Sequence, residues 1–239
     1  MKNSNLKIKR HQIIYVVAAL LLVMTIVIIS SDQVFAGGKN FYTATWFKLN
    51  KNKEGTTRYG NDGDYYKFKT SSVRASYKFI LYDIGGKDDP AVDLYDSNYN
   101  LIDGFATDNA ATKVFSGLKK NTIYYLNISN WYYNGSDCDY ILKIKETITA
   151  PAKAVIVKVV PGKKKLTASW KLAARAKKYQ ISIRKGSGKW KTYTTTARKK
   201  TFTKLASKKK YSVRVRGFFK YKGKNRFGKW SKVKTVKVK

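Results

Sequence analysis

The chemistry open to this chain is limited first by what it lacks. Its one histidine, His11, lies near the start, so residues 37 to 239 hold no imidazole. That excludes Ser-His-Asp and Cys-His nucleophiles and histidine-ligated metal from this stretch. The one cysteine, Cys138, excludes an intrachain disulfide, and its neighbours Asp137 and Asp139 raise a thiol's pKa where activation needs it lowered. Cys138 therefore reads as a small residue at the start of a strand. Asp93 and Asp96 are close enough in sequence to consider as a general acid and base. Strand alternation sends them to opposite faces, which suits turn and surface positions and not a catalytic pair.

Two other groups have the chemistry of binding. Asp62, Asp64, Asp88 and Asp89 offer the carboxylate oxygens that calcium takes, but without the twelve-residue spacing of an EF-hand. Asp and Gly are also what ordinary turns demand. The run Trp131-Tyr132-Tyr133 stands just before Asn134-Gly135. Three adjacent aromatics cannot all face one core, so at least one points outward, either to stack on a sugar ring or to cap the open end of a sandwich. No cofactor and no catalytic group is expected.

The elements that must position these residues follow from charge and periodicity. Of 50 Lys and Arg and 14 Asp and Glu, residues 1 to 36 hold four and one, residues 37 to 150 hold 15 and 13, and residues 151 to 239 hold 31 and none. The last segment cannot neutralise itself and repels itself unless counterions or a polyanion are present. At the other end, Lys2, Lys7, Lys9 and Arg10 precede an apolar run from Ile13 to Ile29, and Val34-Phe35-Ala36 offers small residues of the kind a signal peptidase reads. Residues 1–36 thus read as a signal peptide cleaved after Ala36, or as an uncleaved helical signal anchor. Either exports the rest, so the expected location is extracellular or cell-surface, with membrane contact only through this segment.

Beyond the leader no sustained 3.6-residue period occurs, and the pattern is all-β. Tyr66 and Phe68 alternate with Lys67 and Lys69; Ala91 to Ile102 is a strand, an Asp-Ser-Asn turn and a return strand. Tyr124, Leu126 and Ile128 share one face, and Tyr140, Leu142 and Ile144 close residues 39–147. Together with the paired Tyr124-Tyr125, these segments resemble the bacterial pre-peptidase C-terminal domain. That resemblance implies a jelly-roll-like, non-catalytic accessory sandwich. Thr149 to Ala152 reads as a short linker.

Residues 151–239 carry a second resemblance. Leu166, Ala168 and Trp170 alternate with Thr167 and Ser169, and Tyr179, Ile181 and Ile183 alternate with Gln180, Ser182 and Arg184. Leu205 is followed six positions later by Tyr211, which opens the alternation Tyr211, Val213, Val215 against Ser212, Arg214, Arg216. This order resembles the fibronectin type III domain, with Trp170 as its buried tryptophan and Tyr211 as its tyrosine corner. The fold class implied is two tandem β-sandwiches after the leader. Arg216-Gly217 is followed by Phe218, so the family's integrin-binding Arg-Gly-Asp does not carry over. Val233 is apolar at an odd position and Val236 and Val238 at even ones, which predicts a bulge near Lys234 to Val236.

In the fold so implied, Arg184, Arg214, Arg216, Lys232 and Lys234 come from neighbouring strands and would form a cationic stripe, without phosphate-cradling glycine loops or a specific nucleic-acid motif. The stripe either binds polyanions or is a solvated face that keeps the domain soluble. The expectation is an exported, non-enzymatic bacterial surface or adhesion protein. Its last domain would contact anionic cell-envelope polymer and its first a glycan or protein ligand. The alternatives are a secreted module for host or environmental polyanions, and a non-catalytic partner of a separate hydrolase.

Overall fold

In a computed structural model of the chain, the structure describes residues 37–57, 63–131 and 137–239. The leader expected over residues 1–36, Asp62, Tyr132 and Tyr133 lie outside the described residues. Among those described there is no helix. The strands are β1 (Thr45–Trp46), β2 (Asn52–Thr57), β3 (Asp64–Lys69), β4 (Ala75–Gly86), β5 (Pro90–Tyr95), β6 (Leu101–Ala106), β7 (Ala110–Ser116), β8 (Ile123–Asn130) and β9 (Cys138–Ile148). They continue as β10 (Ile156–Gly162), β11 (Lys165–Trp170), β12 (Lys178–Lys185), β13 (Lys191–Thr195), β14 (Lys199–Phe202), β15 (Lys210–Tyr221), β16 (Lys224–Phe227) and β17 (Lys234–Lys237).

The first nine strands form two sheets, ordered β1-β3-β8-β5-β6 and β2-β9-β4-β7. Their inner faces are the alternating sets read above: Tyr66 and Phe68 on β3, Tyr124, Leu126 and Ile128 on β8, and Tyr140, Leu142 and Ile144 on β9 are all buried. Phe68 packs against Phe79 of the opposite sheet with ring centroids 6.0 Å apart, so the two sheets share one core. The turn between β5 and β6 is held by Asp96, whose Oδ1 accepts from the backbone N–H of Asn98 and Asn100 at 2.8 and 3.0 Å.

The later strands form the sheets β10-β11-β14 and β13-β12-β15-β16, with β17 also paired to β15. Leu166, Ala168 and Trp170 from one sheet and Tyr179, Ile181, Ile183, Tyr211, Val213 and Val215 from the other make a single buried cluster. The expected corner is present: Tyr211 Oη accepts from the Ala206 N–H at 3.0 Å. The same device recurs, since Tyr179 Oη accepts from Ala173 N–H at 3.1 Å and, in the first sandwich, Tyr77 Oη accepts from Ser71 N–H at 2.8 Å. Each tyrosine near a strand's start satisfies a backbone donor in the incoming chain that burial would otherwise leave unpaired. Gly217 is required by close packing: a Cβ there would stand 2.5 Å from the Ala176 Cβ.

The last strand differs from expectation. Pairing from Lys234 to Lys237 is regular, so the bulge expected near Lys234 to Val236 is absent. The break lies upstream. Phe218 pairs with Phe227 and Val213 with Lys234, so a step of five residues on β15 faces seven residues of the partner chain. Residues 228–233 absorb the excess, with Ser231 bonded to Val215 by N–H to carbonyl at 2.8 Å and by Oγ accepting from the Val215 N–H at 3.1 Å. Val233, 47% exposed, is left out of the core, and that removes the conflict of parity.

Candidate functional site

On the outer face of β12 and β15, alternation presents Arg184, Arg214 and Arg216, each half-buried. Aromatic rings lie between them. Arg184 Cζ is 4.5 Å and Arg214 Cζ 4.3 Å from the Trp190 ring centroid; Arg214 and Arg216 are 4.3 and 4.4 Å from Trp230; Arg216 is 3.9 Å from Phe227. The order is therefore Arg184, Trp190, Arg214, Trp230, Arg216, Phe227, an alternating ladder of cations and rings. Each ring's negative face meets a guanidinium, which is more weakly hydrated than an ammonium and suits such contacts.

The register explains why three of the five expected residues converge and two do not. Thr235 pairs with Ser212, and their hydroxyls meet at 2.8 Å on the arginine face. Lys234 pairs with Val213, whose side chain is in the core, so its parity is that of the opposite face; Lys232 lies between strands, exposed. The two extra residues leave the parity unchanged, since both registers pair even with odd positions; Lys234 therefore falls opposite core-facing Val213, and the irregular run 228–233 brings Trp230 between Arg214 and Arg216 instead. A stripe of five cations is thus corrected to three arginines braced by two tryptophans and a phenylalanine. A sequence signal for the rings existed: Trp190 and Trp230 stand among lysines with no apolar residue two positions away on either side.

The ladder limits what the arginines offer a ligand. Arg216 Nε and Nη2 both donate to Gln180 Oε1, at 2.9 and 2.7 Å, and burial followed by the adjacent Arg214 cation pulls its pKa below the usual guanidinium value. The Nε groups of Arg184 and Arg214 are buried without a hydrogen-bond partner. Arg214 and Arg216 each lie against two rings, which limits their access to a ligand.

The other candidate residues divide. Asp64 is buried, with Oδ1 accepting from Gly37 N–H at 3.1 Å and Oδ2 from the Tyr140 hydroxyl at 2.6 Å; the Tyr140 oxygen is 2.9 Å from that of Tyr66. Both Asp64 oxygens thus serve a core network, which corrects its reading as a calcium ligand. Desolvation raises the Asp64 pKa. Asp88 is buried with neither oxygen hydrogen-bonded, and Asp89 is half-buried in a group of aspartates. Among the described residues no three His, Cys, Asp or Glu side chains converge as a metal site requires. Cys138 is buried, and burial, reinforced by Asp83, Asp139 and Asp88, pushes its thiol up to about 11. Trp131 is 58% exposed, as the alternation of that run requires of at least one ring.

Sequence reasoning missed a second aromatic group. Phe41 packs against Tyr65, Tyr95, Tyr99 and Tyr125 with centroids 4.8 to 5.8 Å apart. Tyr65, Tyr95 and Tyr125 are outward residues of β3, β5 and β8, so this cluster lies on the outer face of that sheet; Tyr42 and Trp46 nearby in sequence are 84% and 60% exposed.

No protein-family model and no curated protein matches the chain. The chain is similar to solved fibronectin type III and pre-peptidase C-terminal domains. Among them are the fibronectin type III domain derived from human KIAA0970 protein (15% identity, 37% of this chain and 72% of that one, TM-score 0.28) and the FN5 domain of Drosophila Lar (20% identity, 37% and 96%, TM-score 0.32). Another is the pre-peptidase C-terminal domain of collagenase from Bacillus anthracis (22% identity, 42% and 93%, TM-score 0.35). Strand order, the shared cores and the tyrosine corners carry the description of the fold.

Proposed function

We propose that the chain is an exported, non-enzymatic bacterial surface or accessory protein, a jelly-roll-like sandwich followed by a fibronectin type III domain. Its second sandwich holds it against anionic cell-envelope polymer. The observation that supports this reading is the charge distribution: 31 cations and no carboxylate side chain in residues 151–239, against 15 and 13 in residues 37–150. Solubility alone needs a far smaller excess. A polyanion neutralises such a surface and releases its own small counterions, a favourable term that shrinks as bulk salt rises. The full chain should therefore be retained on immobilised anionic polymer but not on a neutral one, with retention falling steeply between about 50 and about 500 mM salt. Retention that ignores salt rejects the electrostatic mechanism.

A second reading concerns the first sandwich. The exposure of Tyr42 and Trp46 beside a tyrosine-covered sheet favours stacking on a neutral glycan. Titration with neutral oligosaccharides should change tryptophan fluorescence in the parent chain and not in Trp46→Ala; identical responses reject it.

A further inference from the structure

The proposed polyanion contact leaves its site open, and the ladder is a poor candidate because stacking and burial already occupy much of each arginine. A more suitable place is the edge where the two sheets of the second sandwich part. There β13 pairs only with β12, and β14 only with β11, so both strands end their sheets on the same side. Between them lies a cleft of about 720 Å³ lined by Lys185, Lys189, Lys191, Lys200 and Lys204 and by Arg184, whose guanidinium is engaged by Trp190, with no carboxylate in its lining. Four of these lysines are exposed and Lys200 is half-buried. Five lysines lining one concavity reinforce one another's field, and low-dielectric walls focus it.

We infer that this cleft is the binding site for a phosphodiester chain of the polyol-phosphate kind. The inference rests on the polyanion reading above and adds its location and ligand class. Lysine meets phosphate as a flexible point charge, without the planar two-pronged geometry that arginine imposes, and so tolerates a chain whose phosphates are joined by flexible polyols. Base stacking, which nucleic acids need for tight single-strand binding, is poorly served here. The cleft's rings Tyr193 and Phe202 stand edge-to-face, 5.5 Å apart at 63°, and Lys200 Nζ lies 5.3 and 6.0 Å from their centroids. Phe202 is buried, which leaves Tyr193, 41% exposed, as the one ring of the pair open to a base, too few to stack successive bases. The unpaired outer edges of β13 and β14 add backbone N–H groups as donors to phosphate oxygens.

The competing explanation for these lysines is protection of two sheet edges from pairing with other chains. The experiment compares the full chain with Lys185→Gln/Lys189→Gln/Lys191→Gln/Lys204→Gln, and with a control of equal charge loss, Lys153→Gln/Lys158→Gln/Lys171→Gln/Lys229→Gln. All eight positions are exposed, so both variants should keep the parent melting temperature. Binding of a synthetic glycerol-phosphate oligomer, and of an oligothymidylate with the same number of phosphates, is measured at about 100 mM salt. The site is supported if the cleft variant loses more than about tenfold in affinity for glycerol phosphate and the control less than about threefold. Equal losses in the two variants overturn the site while leaving the polyanion reading standing, and mean that the lysines only shield the edges. Much tighter binding of oligothymidylate overturns the ligand class. No binding of either probe by the parent chain overturns the polyanion reading itself.

Discussion

The two sandwiches handle buried polarity in opposite ways. The first carries 13 carboxylates and buries two, Asp88 and Asp64, the latter in a hydrogen-bonded chain with Gly37, Tyr140 and, through it, Tyr66. The second has no side-chain carboxylate and stabilises its half-buried arginines with aromatic faces. A guanidinium without an anion partner can still be desolvated if rings replace the water on its faces, at the expense of its availability to ligands. In this cationic domain the three ladder arginines are thus committed to structure, and the exposed lysines meet solvent or partner.

The largest expected effect tests the second core. Trp170→Ala, which empties a site in the buried cluster against Tyr179, should destabilise that sandwich by about 3 to 5 kcal/mol. Tyr211→Phe, which removes only the bond to Ala206, should lose about 1 to 2 kcal/mol. Equal losses in denaturant titration would show that the corner matters as much as the indole.

Next comes the ladder. Trp230→Ala removes the ring shared by Arg214 and Arg216 and should cost roughly 1 to 3 kcal/mol, whereas Lys232→Gln/Lys234→Gln should leave the melting temperature unchanged. A Trp230→Ala protein as stable as the parent would reduce the ladder to incidental contact. In the first sandwich the matching defect is Asp88, buried without a hydrogen bond. Asp88→Asn should raise stability in calcium-free buffer by about 1 kcal/mol, since a neutral amide is less costly to bury than an unpaired carboxylate. A loss would mean that the carboxylate has a partner in solution.

Acid should separate the sandwiches by a smaller margin. Asp64, Asp89 and Asp93 all have raised pKa values, with desolvation the first cause in each. The folded state then binds these protons more readily than the unfolded state. Stability therefore increases as pH falls through the raised folded values toward the ordinary 3.8, and this contribution is absent at neutral pH. Asp103, exposed and lowered by its bond to Lys113, opposes the trend weakly. The second sandwich has no Asp, Glu or His to titrate, so its melting temperature should stay flat over the same range. Asp64→Asn should reduce the first sandwich's response, leaving the part due to Asp89 and Asp93. The smallest effect is at Cys138: with its thiol held near 11 and buried, it should resist alkylation at about pH 8 until the protein is unfolded.

Much of this fold was legible in one dimension. Period-two alternation identified the buried faces Tyr66 and Phe68, Tyr124 to Ile128, Tyr140 to Ile144, and Tyr179 to Ile183, because a strand's side-chain direction depends only on its own residue count. The spacing around Tyr211 pointed to the corner, whose hydrogen bond spans five residues, and counting alone revealed where the charge lies. What the chain could not announce was how separate strands meet. The irregular run 228–233, two residues longer than the stretch of β15 it faces, leaves Lys234 opposite core-facing Val213 and places Trp230 between two arginines. Asp64 reads like any turn aspartate until Tyr140, 76 residues later, closes over it. The lysine-rimmed cleft exists only because β13 and β14 leave their sheets at the same edge. Each of these depends on register or proximity between distant segments, which tertiary packing decides and local periodicity does not encode.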